Sequence, residues 1–165
     1  MRGLAVVLAF MLVVLLSGSG RATASKAEEY FREGYVASMS REWDEAIDWY
    51  TKSIQVDPKN PEVYFQRAIT FEMTGHPERA IADYQKTLEL KPDYYLAMEY
   101  LAKLYERSGH YGKALGLYKR ALPLVENRKW RTIVKQWISQ AEKSMRAASK
   151  KANPRGKSNP KDPLF

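Results

Sequence analysis

Apolar side chains recur along this chain in two rhythms, one of three to four residues and one of thirty-four. The short rhythm marks helices. Ala46, Tyr50 and Ile54 fall at i, i+4 and i+8, and so do Ala80, Tyr84 and Leu88, then Ala114, Tyr118 and Leu122, so each set lines one helix face. Each set starts 34 residues after the one before. Upstream of each lies a second stripe: Tyr30, Gly34 and Ala37, then Tyr64, Ala68 and Phe71, then Met98, Leu101, Ala102 and Tyr105. The pattern predicts a helix, a turn and a helix, three times over. Small residues at 34, 68 and 102, and at 46, 80 and 114, are what two closely crossing helices require, because a larger side chain would push their axes apart. Gly75 and Gly109 mark turns, and Pro61 and Pro77 sit where a helix starts without losing a needed N–H. Pro58 and Pro92 close the first two copies.

The period and these positions together resemble the tetratricopeptide repeat, over about residues 27–126. Four positions depart from that family's pattern. Its mid-helix leucine is Glu33 in the first copy and Arg67 in the second, while Leu101 keeps it in the third. Arg41 stands where a turn glycine is expected, and Glu126 replaces the closing proline. Glu33 and Arg67 hold one place in adjacent copies, which allows either an ion pair between them or two solvated charges. The resemblance implies an all-α fold, a right-handed α-solenoid of three helix-turn-helix units (about 27–60, 61–94 and 95–126, within 25–126). Roughly three such units are the minimum for a stable stack, and its end needs a cover. Residues 127–149 are predicted to be that capping helix. Trp130, Ile133, Val134, Trp137, Ile138, Ala141 and Met145 follow the helical period, with Arg131, Lys135, Lys143 and Arg146 among the polar positions. The rival reading is a basic amphipathic helix lying on an anionic membrane.

Composition alters this picture at both ends. Residues 1–24 read as a secretory signal peptide: Arg2, an apolar run from Leu4 to Leu16, then small residues through Ala22, Thr23 and Ala24, with cleavage expected after Ala24. An uncleaved N-terminal membrane anchor is the alternative, but the run falls short of the ~20 residues a spanning helix needs. The expected location is therefore outside the cytoplasm, periplasmic or secreted. The chain has no cysteine, so no disulfide or thiolate metal site is available and packing must hold the fold. Residues 25–125 carry 14 basic and 16 acidic side chains, whereas residues 126–165 carry 11 and 3. Residues 150–165, rich in cations and helix breakers, read as a basic disordered tail.

No catalytic constellation, metal site or cofactor motif emerges, and the chain is not expected to be an enzyme. His76 and His110 lie one period apart in equivalent turns, too distant from each other to share a metal. The resemblance implies instead that the first helix of each unit lines a concave surface. Carried over, its contact positions are Phe31, Tyr35, Phe65, Ile69, Glu99 and Lys103, with Glu72 and Arg107 nearby. Similar proteins that grip a C-terminal carboxylate use lysine, arginine and asparagine at such places, and only Lys103 fits. The expected partner is another protein, offering an amphipathic helix or an extended peptide with large apolar side chains to this interaction scaffold. The alternative is a polyanion or an anionic membrane surface bound by the basic C-terminal helix and tail. Sequence-specific nucleic-acid recognition is not expected.

Overall fold

The computed structural model describes residues 25–152, and among these all regular structure is helical. The signal peptide read at 1–24 and the tail beyond Ala152 lie outside the described residues. Seven α-helices follow in order: α1 (25–39), α2 (Trp43–Val56), α3 (Pro61–Met73), α4 (Pro77–Leu90), α5 (Tyr95–Arg107), α6 (Tyr111–Ala121) and α7 (Arg128–Ala152). A short 3-10 turn, Leu122–Leu124, separates α6 from α7. Its Pro123 ends α6, so the third copy closes a few residues before Glu126. The chain divides into two compact units, with the division inside α4 between Asp83 and Tyr84.

In the first unit, Ala37, Ala46, Tyr50 and Val63 form a buried cluster flanked by Phe31, Trp49 and Ile54. Gly34 explains how closely α1 approaches α2. A Cβ added there would lie 2.7 Å from Tyr50 Cδ1, inside any real contact distance, so only glycine lets the ring lie against the α1 backbone. Ser53, buried in α2, donates to the Ala27 carbonyl at 2.8 Å and fastens the start of α1. Asn60 accepts from the Glu62 N–H at 3.0 Å and caps α3, with Pro61 in the first turn.

The ion pair considered between Glu33 and Arg67 does not form. Arg67 turns instead to Asp83, with Nε to Oδ2 at 2.8 Å and Nη2 to Oδ1 at 2.9 Å, and its Nη1 donates to Thr51 Oγ1 at 2.9 Å. Asp83 lies one helix on, its carboxylate matches the guanidinium fork, and both side chains are largely out of water. Glu33 faces solvent.

In the second unit, Ala97, Met98, Leu101, Ala102 and Leu104 of α5 are buried, as are Ala114, Leu115, Leu117 and Tyr118 of α6. Helix α7 caps this pair. Its Val134 and Ala141 are buried, and the Trp137 ring packs against Tyr118 with centroids 5.6 Å apart and planes tilted by 35°. Asn127 starts α7 by accepting from the N–H groups of Lys129 at 2.9 Å and Trp130 at 3.2 Å. The helix extends three residues past the predicted 149, since nothing before Asn153 and Pro154 breaks it.

The three turns inside the repeats, α1–α2, α3–α4 and α5–α6, share one geometry. Arg41, Gly75 and Gly109 adopt left-handed backbone with φ of 64°, 75° and 76°. In each, that residue's N–H bonds three residues back, and the next N–H bonds five back: Glu42 to the Ala37 carbonyl, His76 to Phe71 and His110 to Tyr105. This is the Schellman closure of a helix, and Arg41 is forced into it without glycine's freedom.

Candidate functional site

The contact residues expected from the resemblance belong partly to each unit and do not fare alike. In the first unit, Phe65 is 4% exposed and therefore committed to the core. Phe31 is half-buried against Tyr50, centroids 5.9 Å apart. Ile69 and Glu72 are half-buried. Tyr35 is 47% exposed, one turn beyond Phe31 on α1.

Tyr35 has company that the sequence reading missed. Val36 and Met39, on the same side of α1, are 60% and 70% exposed, and Met73 at the end of α3 is 60% exposed. The buried stripe of α1 runs through Ala27, Gly34 and Ala37, so residues 35, 36 and 39 point away from it. The signal was present in the sequence: apolar residues off a helix's buried stripe have no core to enter. Three large apolar side chains facing water within five residues make a patch rather than scattered exposure.

In the second unit the predicted charges are already engaged. Glu99 is buried and pairs with Lys103 at 2.6 Å. The Lys103 ammonium also lies 4.5 Å from the centre of the Trp137 ring, a cation–π contact supplied by the capping helix. The one lysine that matched a carboxylate grip is thus held by its own carboxylate and an aromatic face. Arg107 is exposed at the end of α5.

Two tyrosines show what the interior does to polar groups. Tyr118 has no exposed surface and donates to Glu106 Oε2 at 2.8 Å. Burial, and then the adjacent carboxylate, push its pKa far above the ordinary value. Tyr50, equally buried, reaches only Ser38 Oγ at 3.4 Å, and burial again raises its pKa. The histidines are turn residues. His76 Nδ1 lies 3.0 Å from Thr74 Oγ1 with its ring edge-on to Phe71, and His110 is edge-on to Tyr105. Among the described residues, no cluster of three histidines, cysteines or carboxylates could hold a metal ion, and no helix is long and apolar enough to cross a membrane.

Residues 42–75 match a family model described as TPR repeat, and residues 65–128 one described as tetratricopeptide repeat; together they span more than half of the chain. Among solved structures, the TPR2B domain of yeast Sti1, in a pHsp70 complex, is similar. It is 26% identical with a TM-score of 0.65, covering 72% of this chain and 98% of that one. The first TPR of Spaghetti (RPAP3), bound to the HSP90 peptide SRMEEVD, is 22% identical with a TM-score of 0.66, covering 74% of this chain and 95% of that one. The Sgt2 TPR domain from Aspergillus fumigatus is 21% identical with a TM-score of 0.63, covering 81% of this chain and 87% of that one. No curated protein matches by sequence.

Proposed function

Because the chain belongs to the tetratricopeptide repeat family, we propose that it is a protein-interaction scaffold, not an enzyme, and that it holds a partner's helix or peptide through apolar anchors. The observation that carries this reading is the water-facing set Tyr35, Val36 and Met39 on α1. Helix α1 has no need of these side chains for its own packing, which Gly34, Ala37 and Phe31 already provide. Binding of peptides in two similar structures, the pHsp70 complex and SRMEEVD, supports the general mode. The chemistry proposed here differs. SRMEEVD is acidic, while the candidate surface on α1 offers Tyr35, Val36 and Met39, and Lys103 of the second unit is already paired.

The leader-like sequence at 1–24 places this work outside the cytoplasm in our reading, in the periplasm or beyond the cell. N-terminal sequencing of the chain recovered from the exported fraction should begin at Ser25. A start at Met1 would favour an anchored form.

The binding test is a photo-crosslinking amino acid at position 35, followed by affinity measurement on the captured partner. Tyr35→Ala should weaken that partner roughly thirtyfold, as a central aromatic anchor does, without shifting the melting temperature. Phe65→Ala is the contrasting variant. Its ring is in the core, so its truncation should cost ~3–5 kcal/mol of stability whatever it does to binding. A Tyr35→Ala protein that binds with parental affinity would remove α1 from the site.

A further inference from the structure

The two units carry opposite charge. Residues 25–83 hold 7 basic and 12 acidic side chains, and residues 84–152 hold 15 and 6, so their nets are −5 and +9. Each unit also keeps apolar surface open to water. In the first it is the outer face of α1, where Glu28, Glu29, Tyr35, Val36 and Met39 are all exposed. At 100° per residue these five fall within a third of the helix circumference, acidic toward the N-terminal end and apolar toward the other, with Arg32 between them. Glu29 is held by Lys26 at 3.0 Å.

In the second unit it is a groove of about 490 Å³ between the end of α4 and α6. Leu88, Leu101 and Leu117 supply its apolar lining, and Lys113, Gly116 and Arg120, at i, i+3 and i+7 of α6, give it an exposed wall. Packing does not call for the glycine. A Cβ added at Gly116 would meet no atom within 4 Å, and glycine weakens a helix interior, so what it contributes is the opening it leaves in that wall. Of the cations on α6, Lys119 is paired with Glu142 at 3.3 Å, whereas Lys113 and Arg120 have no carboxylate partner among the described residues. Lys113 overlies the Tyr105 ring, 5.2 Å from its centre. On the α4 side, Glu89 is taken by Lys86 at 2.8 Å and Gln85 donates to the Tyr105 hydroxyl at 2.9 Å.

We infer that this groove receives helix α1 of a second copy, so that copies join head to tail, the acidic unit of one on the basic unit of the next. It rests on the α1 reading above, whose partner it names. The groove has an apolar lining and two unmatched cations, and the α1 face has apolar side chains with carboxylates one or two turns away. Both occur once on every chain. Opposite net charge on the two units steers the encounter, and Tyr35, Val36 and Met39 anchor it. A polyanion without apolar groups would answer Lys113 and Arg120 but leave the three leucines unfilled. Because the two surfaces differ, the contact is heterologous, and a copy engaged through its groove still presents its own α1.

The test is sedimentation velocity on the chain from Ser25 to Phe165, which omits the apolar leader, over a ~100-fold range of concentration at about 50 and about 500 mM salt. The parent should grow in size with concentration, and more so at the lower salt. Gly116→Leu fills the groove and Tyr35→Ala/Met39→Ser strips the α1 face. Each should need roughly thirtyfold more protein to associate, neither with a lowered melting temperature. Mixed together, the two variants should form a 1:1 dimer and nothing larger, because one brings the intact α1 face and the other the intact groove. A parent whose size does not depend on concentration would overturn the inference, as would parental association by either variant or a mixture that stays monomeric. A photo-crosslinker at position 35 separates this from the α1 reading beneath it. Capture of a different protein by a chain that stays monomeric keeps α1 as a site and removes the second copy as its occupant, while capture of nothing, this chain included, removes both.

Discussion

The same two places in consecutive repeats are filled in opposite ways by the two units. In the first unit they are Arg67 and Asp83, joined as a two-bonded ion pair that also takes in Thr51 of α2. One period later, in the second unit, they are Leu101 and Leu117, both buried and both lining a shallow cavity of about 490 Å³. The leucines gain from leaving water and impose little geometry. The ion pair costs several kcal/mol per charge in desolvation before its bonds repay it, but it tolerates only one alignment of its helices. The difference teaches that a repeat can be closed for stability or for register at a single column. This chain does both.

The largest expected effect breaks the polar version. Arg67→Leu alone should lower stability by about 3–5 kcal/mol, because Asp83 is left in the core without its guanidinium. Adding Asp83→Leu, which copies the second unit, should recover that loss or exceed it. Chemical denaturation of both variants decides the matter, and a double variant no better than the single one would show that the two columns are not interchangeable. Gly34→Ala comes next. The added methyl meets the Tyr50 ring at 2.7–2.8 Å, and displacing that ring should cost about 1–3 kcal/mol in a thermal melt. No change would mean that the close crossing in the first unit can relax freely.

A smaller effect depends on pH. The folded pKa of Tyr118 is raised above its unfolded value, so its contribution to stability is complete below pH ~10 and is lost as pH rises further, when the unfolded chain sheds a proton the folded one keeps. The melting temperature should therefore fall less steeply from pH 9 to 11 in Tyr118→Phe than in the parent. Parallel slopes would assign the alkaline loss to other groups. The smallest effect is at the first turn. Arg41→Gly should stabilise by less than about 1 kcal/mol, since relief of the left-handed strain is partly offset by the freedom glycine gives the unfolded chain. A destabilised variant would mean that the arginine side chain earns its place through contacts.

Most of the architecture was legible because packing writes itself into the sequence as columns. Ala46, Ala80 and Ala114, with Tyr50, Tyr84 and Tyr118, are all fully buried, and spacing alone had set them on one face. The ion pair was half legible. Arg67 stood out as a departure, but the reading looked for its partner in its own column, at Glu33. The better signal was that Asp83 departs one column over in the same repeat, where Leu117 stands a period later. Two polar intrusions into apolar columns of one repeat compensate each other, as Arg67 and Asp83 do. The contact residues were least legible, because a resemblance supplies positions without exposures. It treated Phe65 and Tyr35 alike, although one lies in the core and the other in water. Val36, Met39 and Met73 belong to no family position and had to be found by what they fail to pack against.

The buried tyrosines also keep time. Tyr50 and Tyr118 show no surface to solvent, so neither phenol can ionise until its surroundings open. After a sudden jump to alkaline pH, the phenolate absorbance of each would rise at the rate at which its neighbourhood opens. Tyr50 belongs to the first unit and Tyr118 to the second, and Tyr→Phe variants would separate their signals. The chain thus contains a native clock in each unit, able to tell whether the two open in one event or in succession.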